Sequence, residues 1–243
     1  VGTLLPMVKP RFVADSQFHI WAANTPERPW LADRAAHSHG PPAFEAPEIL
    51  AAMDAAGVDR AVLIPAACEG DRNDVAIAAA RAHPTRFCAV GRVALGDAAV
   101  PAEIRRCVAA GEMKGLRPTF VGDDARRLVD GSSRWLWELA EDYALPLMMI
   151  APGQLPAIGA IARDYPSARF AVDHLGLPIQ GGSPEASAQT LRELLRMDNI
   201  PNVSVKASGL MYTPGDNYPF PAFLARTRQV LDAFGPQRVF WGS

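Results

Sequence analysis

Short apolar runs alternate along this chain with segments whose apolar residues recur every three or four positions. Arg11 to Trp21 reads as a first strand, and a long Pro-rich loop follows to about Phe44. Glu45 to Ala56 carries Ile49, Leu50, Met53 and Ala56 at helical spacing, and Gly57 suits the position just past a helix end. Asp59 to Ile64 is a second, buried strand. Asp74 to Ala82 is an Ala-rich helix that must stop before Pro84. Further strands are expected over Arg86 to Leu95, Glu112 to Val121, Pro146 to Ile150, Ala168 to His174, Asn202 to Lys206 and Arg238 to Gly242. Helices are expected between them over Pro101 to Ala110, Ser133 to Tyr143, Gln154 to Asp164 and Phe220 to Phe234. One more helix is capped by Ser183-Pro184 and carries Leu191, Leu194 and Leu195.

Eight short strands separated by helices imply a parallel sheet covered by helices on its outer face. That many units favour closure into a (β/α)₈ TIM barrel, and 243 residues suit one barrel, which needs about 250. Residues 1–243 therefore read as a single domain. An open doubly wound sheet is the alternative. It wants a Gly-rich phosphate turn after the first strand, where this chain has Ala22-Ala23-Asn24-Thr25-Pro26. No helix follows the eighth strand, so the sequence is expected to break off inside the barrel at Ser243. It also begins without a Met, so its first residues are expected to be missing.

The composition narrows the function classes. The chain is 49% hydrophobic and 21% charged, enough for a buried core. A net charge of −2 gives no footprint for nucleic acid. No apolar run reaches the length of a membrane span, and the start lacks a signal-peptide pattern. Cys68, Cys88 and Cys107 match no metal or redox spacing and read as buried small side chains. A sparse, odd set of cysteines fits a reducing compartment, so a cytoplasmic location is expected. The expected partner is a small-molecule substrate, and the oligomeric state stays open.

Strand alternation then selects candidate chemistry. In the first strand Asp15, Gln17 and His19 share one face, while Phe18 and Ile20 suit the helix layer. Gln17 and His19 thus face the barrel axis near its carboxyl-end mouth, where polar groups need a partner or an ion. Phe170 to Val172 is a buried run that ends in Asp173-His174, and His174 shares the face of Val172. Arg117 ends the fourth strand and can bind a substrate carboxylate. Arg92, late in the third, has a similar claim. Lys206 alternates with Val205 and Ala207 and enters the mouth, where burial lowers an amine's pKa. The competing readings are a satisfied interior pair for Gln17 and His19, a loop-capping His for His174, a surface ion pair for Arg117 and a solvated rim position for Lys206. His37 and His39 in the long first loop form a weaker metal candidate, and His83 reads as structural. Trp21 and Trp30 either cover the mouth or anchor the loop.

These segments resemble the amidohydrolase superfamily, in the branch often called amidohydrolase 2. The carriers are Asp15 to Trp21, which resembles D-x-H-x-H-x-W, and Ala56 to Val62, Lys114 to Arg117 and Asp173 to Gly176. Val205 to Leu210 and Arg238 to Ser243 complete the set, and order and spacing together make the pattern specific. The branch includes 2-pyrone-4,6-dicarboxylate lactonase, other lactone hydrolases and aromatic-acid decarboxylases. The resemblance implies that His19 and His174 surround one divalent metal, zinc first, or the hydrolytic water. It implies an Asp after the W-G-S run as the water-activating group, one position past Ser243.

Two departures matter. Gln17 stands where the family has the first His of the pair, and a neutral amide is a poor zinc ligand beside imidazole. Without metal, Gln17 and His19 would polarise the substrate carbonyl. Leu177 stands where relatives often carry Arg, which argues against a dianionic substrate. The expected activity is hydrolytic opening of a lactone or cyclic ester carrying a carboxylate, with Arg117, Lys206 and Arg92 binding substrate. The alternatives are a metal-dependent decarboxylase of an aromatic or muconate-type acid and a non-catalytic barrel that binds a small carboxylate.

Overall fold

Eight strands lie in one sheet whose spatial order is the chain order, first to eighth. The structure is a computed structural model that describes residues 11–35, 40–178, 182–209 and 215–243. Its elements are β1 (Ala14–Ile20), α1 (Ala32–Ala35), α2 (Ala46–Ala56), β2 (Arg60–Pro65), α3 (Asp74–Ala82), β3 (Phe87–Arg92), α4 (Val100–Ala109) and β4 (Gly115–Arg117). Then come α5 (Arg134–Asp142), β5 (Pro146–Met149), α6 (Leu155–Asp164), β6 (Arg169–Val172), α7 (Pro184–Leu195), β7 (Val203–Ala207), α8 (Pro221–Phe234) and β8 (Val239–Trp241). Every neighbouring pair from β1–β2 to β7–β8 is parallel. Consecutive order without a reversal excludes the doubly wound alternative.

Local chemistry fixes the helix ends. Glu45 and Glu48 form a reciprocal capping box before α2, and Gly57 ends that helix at φ 69°, a left-handed conformation that glycine adopts without strain. Ser183 Oγ accepts from the Ala186 amide at 3.1 Å to start α7.

Alternation sorts the side chains into two layers. Leu116, Leu147, Phe170, Val203 and Val205 face outward into the helix layer, where Leu136, Leu139 and Ile158 join them, and Leu63 faces outward beside Ile49 and Met53. Full burial of one such side chain stabilises by about 2 kcal/mol. Facing inward, Val62, Ile64, Val90, Met148 and Ala171 form a separate apolar plug inside the barrel. The candidate site rests on this plug.

The seam between β8 and β1 is held by specific contacts. Ser16 Oγ donates to the Trp241 carbonyl at 2.7 Å, and Ser243 Oγ donates to the Gln17 carbonyl at 3.1 Å. The Ser243 amide donates to Asp15 Oδ1 at 3.1 Å. Gly242 makes this approach possible, because a Cβ there would stand 2.5 Å from the Gln17 Cβ.

Several strands are shorter than the pattern predicts, and for β4 and β6 the cause is local. β4 stops at Arg117 because Pro118 has no N–H for the ladder, and only a bridge from Thr119 to Ile150 follows. β6 stops at Val172. Asp173–Gly176 then form a tight turn in which His174 and Leu175 are left-handed, each at φ 55°. The position of His174 is therefore set by this turn and not by strand alternation with Val172.

Candidate active site

Six side chains from four strands and their ends, β1, β4, β6 and β7, meet above the plug. Asp173 lies at the centre, buried at the end of β6. Arg117 donates from Nε to Asp173 Oδ2 at 2.7 Å, and the Lys206 ammonium pairs with Asp173 Oδ1 at 3.2 Å. Both cations are sealed, at 4% and 1% exposure. Lys206 also donates to Gln17 Oε1 and lies 3.1 Å from Met148 Sδ. The ammonium thus donates to groups on β1 and β5 and forms an ion pair with the carboxylate at the end of β6.

The donors fix the state of both imidazoles. Arginine only donates, so the contact of Arg117 Nη2 with His174 Nε2 at 3.2 Å makes that nitrogen an acceptor. His174 Nδ1 then carries the proton and donates to Ser208 Oγ at 2.9 Å. A carbonyl only accepts, so His19 Nδ1–H donates to the Ile64 carbonyl at 3.1 Å. Gln17 turns its oxygen to Lys206, so its amide nitrogen donates to His19 Nε2 at 3.3 Å. Both rings are neutral Nδ1–H tautomers.

Burial reinforces this state. It lowers the pKa of His19 to about 3, helped by the positive Arg117. It lowers that of His174 to about 4, with Asp173 opposing. Lys206 falls to about 8 through burial, again opposed by Asp173, and stays charged at neutral pH. Asp173 moves to about 2, because Lys206 and Arg117 outweigh its own desolvation.

The structure thus brings together Gln17, His19, Arg117, His174 and Lys206. Arg117 differs from the expected free carboxylate-binding group, because its Nε and one Nη already serve Asp173 and His174. Arg92 pairs across the sheet with Arg117 in register and reaches Asp71 at 3.8 Å. His37 and His39 lie outside the described residues. His83 caps α3 and packs edge-on against Phe87. Trp21 and Trp30 anchor the first loop, donating to the carbonyls of Pro41 and Ala22. Leu177 is buried in the helix-layer core. The three cysteines are free thiols, with Cys68 and Cys107 buried and Cys88 partly so.

Sequence reading gave no role to Asp173 or Ser208. One signal was available for Asp173: two inward cations, Arg117 and Lys206, need a buried counter-charge, and Asp173 follows the apolar run of β6 on its inward face.

These donors do not fit a divalent metal. Both imidazole Nε2 lone pairs already accept hydrogen bonds from Gln17 and Arg117. A divalent ion about 4 Å from a single ammonium would be repelled by about 8 kcal/mol at an effective dielectric of about 20. Among the described residues, no three His, Cys, Asp or Glu side chains converge as a metal site.

Fold and cluster together define a (β/α)₈ barrel with its polar site at the carboxyl ends of the strands. The chain belongs to the amidohydrolase family, whose model matches residues 14–243. It is 33% identical over 174 residues to L-fucono-1,5-lactonase from Burkholderia ambifaria, covering 67% of this chain and 57% of that protein. The chain thus spans a little over half the length of that relative. A crystal structure of an amidohydrolase from Burkholderia multivorans with bound zinc superposes with a TM-score of 0.75 at 20% identity, over 96% of this chain and 84% of that one. A putative 2-pyrone-4,6-dicarboxylic acid hydrolase from Pseudomonas putida superposes with a TM-score of 0.71 at 21% identity, over 96% and 82%. Among the described residues no helix is long and apolar enough to cross a membrane.

Proposed function

We propose that this protein hydrolyses the ester bond of a small-molecule lactone, giving a hydroxy acid. The observation that carries the reading is the pair of sealed cations, Arg117 and Lys206, beside two neutral imidazoles at the barrel mouth. The 33% identity to a lactonase supports it. Water adds to the carbonyl carbon, the ring C–O bond breaks, and a proton from the water ends on the ring oxygen. Negative charge develops on the carbonyl oxygen. Arg117 keeps N–H groups beyond the two bonds described, and a preorganised donor in a dry site is worth several kcal/mol there, about 3 or more. His19 and His174 have no proton on Nε2, so in this state neither donates to the oxyanion, and either takes up a proton only once its contact with Gln17 or Arg117 gives way. That differs from a carbonyl-polarising role for His19. Arg92, at the rim beside Arg117, holds the carboxylate of the substrate or product.

The alternative of a metal-dependent decarboxylase is disfavoured by the donor set. The test is proton release from a panel of sugar-acid lactones and carboxylated lactones, with wild type and His174→Ala. Wild type should turn over at least one lactone, and the variant should lose about a hundredfold or more. No turnover across the panel, or unchanged turnover in the variant, overturns the assignment.

A further inference from the structure

Gln17 is the one departure from the family pattern that touches the centre of the cluster, and both ends of its amide are engaged. Its oxygen accepts from the Lys206 ammonium, and its nitrogen caps the His19 Nε2 lone pair. A neutral histidine also offers one acceptor and one N–H, but its ring can turn a lone pair to a metal, and the amide nitrogen of Gln17 cannot. Lys206 is in turn placed against Asp173 and Met148, with Arg117 on the far oxygen of the same carboxylate. The cluster therefore already contains its positive centre.

We propose that the Lys206 ammonium is the resident cation of this site, and that Gln17 keeps divalent metal out by joining that ammonium to the His19 ring. Lys206 and Gln17 act here as positioning residues. The ammonium orients the amide, the amide orients the imidazole, and Asp173 holds the ammonium in place. The pair lies 189 residues apart in sequence, so the arrangement exists only once the barrel has closed.

The inference concerns metal content and stands apart from the lactone reading. Wild type, the double variant Gln17→His/Lys206→Met, and wild type carrying His19→Ala are equilibrated with zinc chloride and desalted, and bound zinc is counted by elemental analysis. Wild type should retain below about a tenth of an equivalent at this site, and the double variant should take up about one. One equivalent in wild type that disappears in His19→Ala overturns the proposal. So does a folded double variant that takes up none. If the double variant does not fold by circular dichroism, the wild-type and His19→Ala pair alone decides by the same criterion.

Discussion

Two buried carboxylates, Glu69 and Asp173, each gather two cations, and they do so under different conditions. Glu69 sits just after β2. It accepts from Arg28 Nη2 at 2.8 Å and from the Ala22 amide at 2.7 Å, and pairs with Arg72 at 3.1 Å. Its two arginines still reach solvent, with side chains 23% and 34% exposed. Arg28 extends the network to Asp74 at 2.7 Å, and Arg72 donates to the Pro29 carbonyl at 2.7 Å. This cluster clamps the first loop to the barrel while its charges keep much of their hydration. Around Asp173 the cations are sealed, so both sides lose solvation and depend on each other. Sealing costs stability unless the geometry is well satisfied. Here it also fixes two imidazole tautomers and one amide orientation, which a loop clamp does not need. On the proposed function, the difference separates a structural ion cluster from one arranged for chemistry.

That contrast can be tested by removing each carboxylate. Asp173→Ala leaves two buried cations without a counter-charge and should cost about 3–5 kcal/mol in urea unfolding. A loss below about 1 kcal/mol would mean that Arg117 and Lys206 find other partners.

Acid provides the next test. The folded values of about 4 for His174 and about 3 for His19 lie below the ordinary 6.5. The unfolded chain therefore binds protons first as pH falls, and folded stability declines below about pH 6.5. Between about pH 7 and about pH 5 the loss should be roughly 2 kcal/mol per imidazole. His174→Asn should remove its share of that loss. Stability that stays flat over this range would show the rings to be hydrated.

The smallest effect belongs to the clamp. Glu69→Gln keeps acceptors but drops the charge, and should cost about 1–3 kcal/mol while leaving His174-dependent turnover in place. If turnover falls as far as stability, the first loop is part of the catalytic geometry.

Much of this architecture was legible beforehand. The alternation of apolar runs and helical spacing gave all eight strands, and strand periodicity put Gln17, His19 and Lys206 inside. The additional short helix α1 in the first loop has too few residues to leave a periodic signal. The early end of β4 could have been read from Pro118. The left-handed turn at His174-Leu175 could not, because neither residue type favours that conformation and only the surrounding packing holds it there.

The sequence by itself determined the barrel and the inward face of each strand, because both follow from local periodicity and from the apolar surface that helices and strands must bury. Tertiary structure decided which partners those inward groups would take. Arg117 is spent on Asp173, 56 residues away, and Lys206 on Gln17, 189 residues away. Pairings over such separations are fixed by barrel closure and by the need of every sealed charge for a counterpart, and no local pattern encodes either.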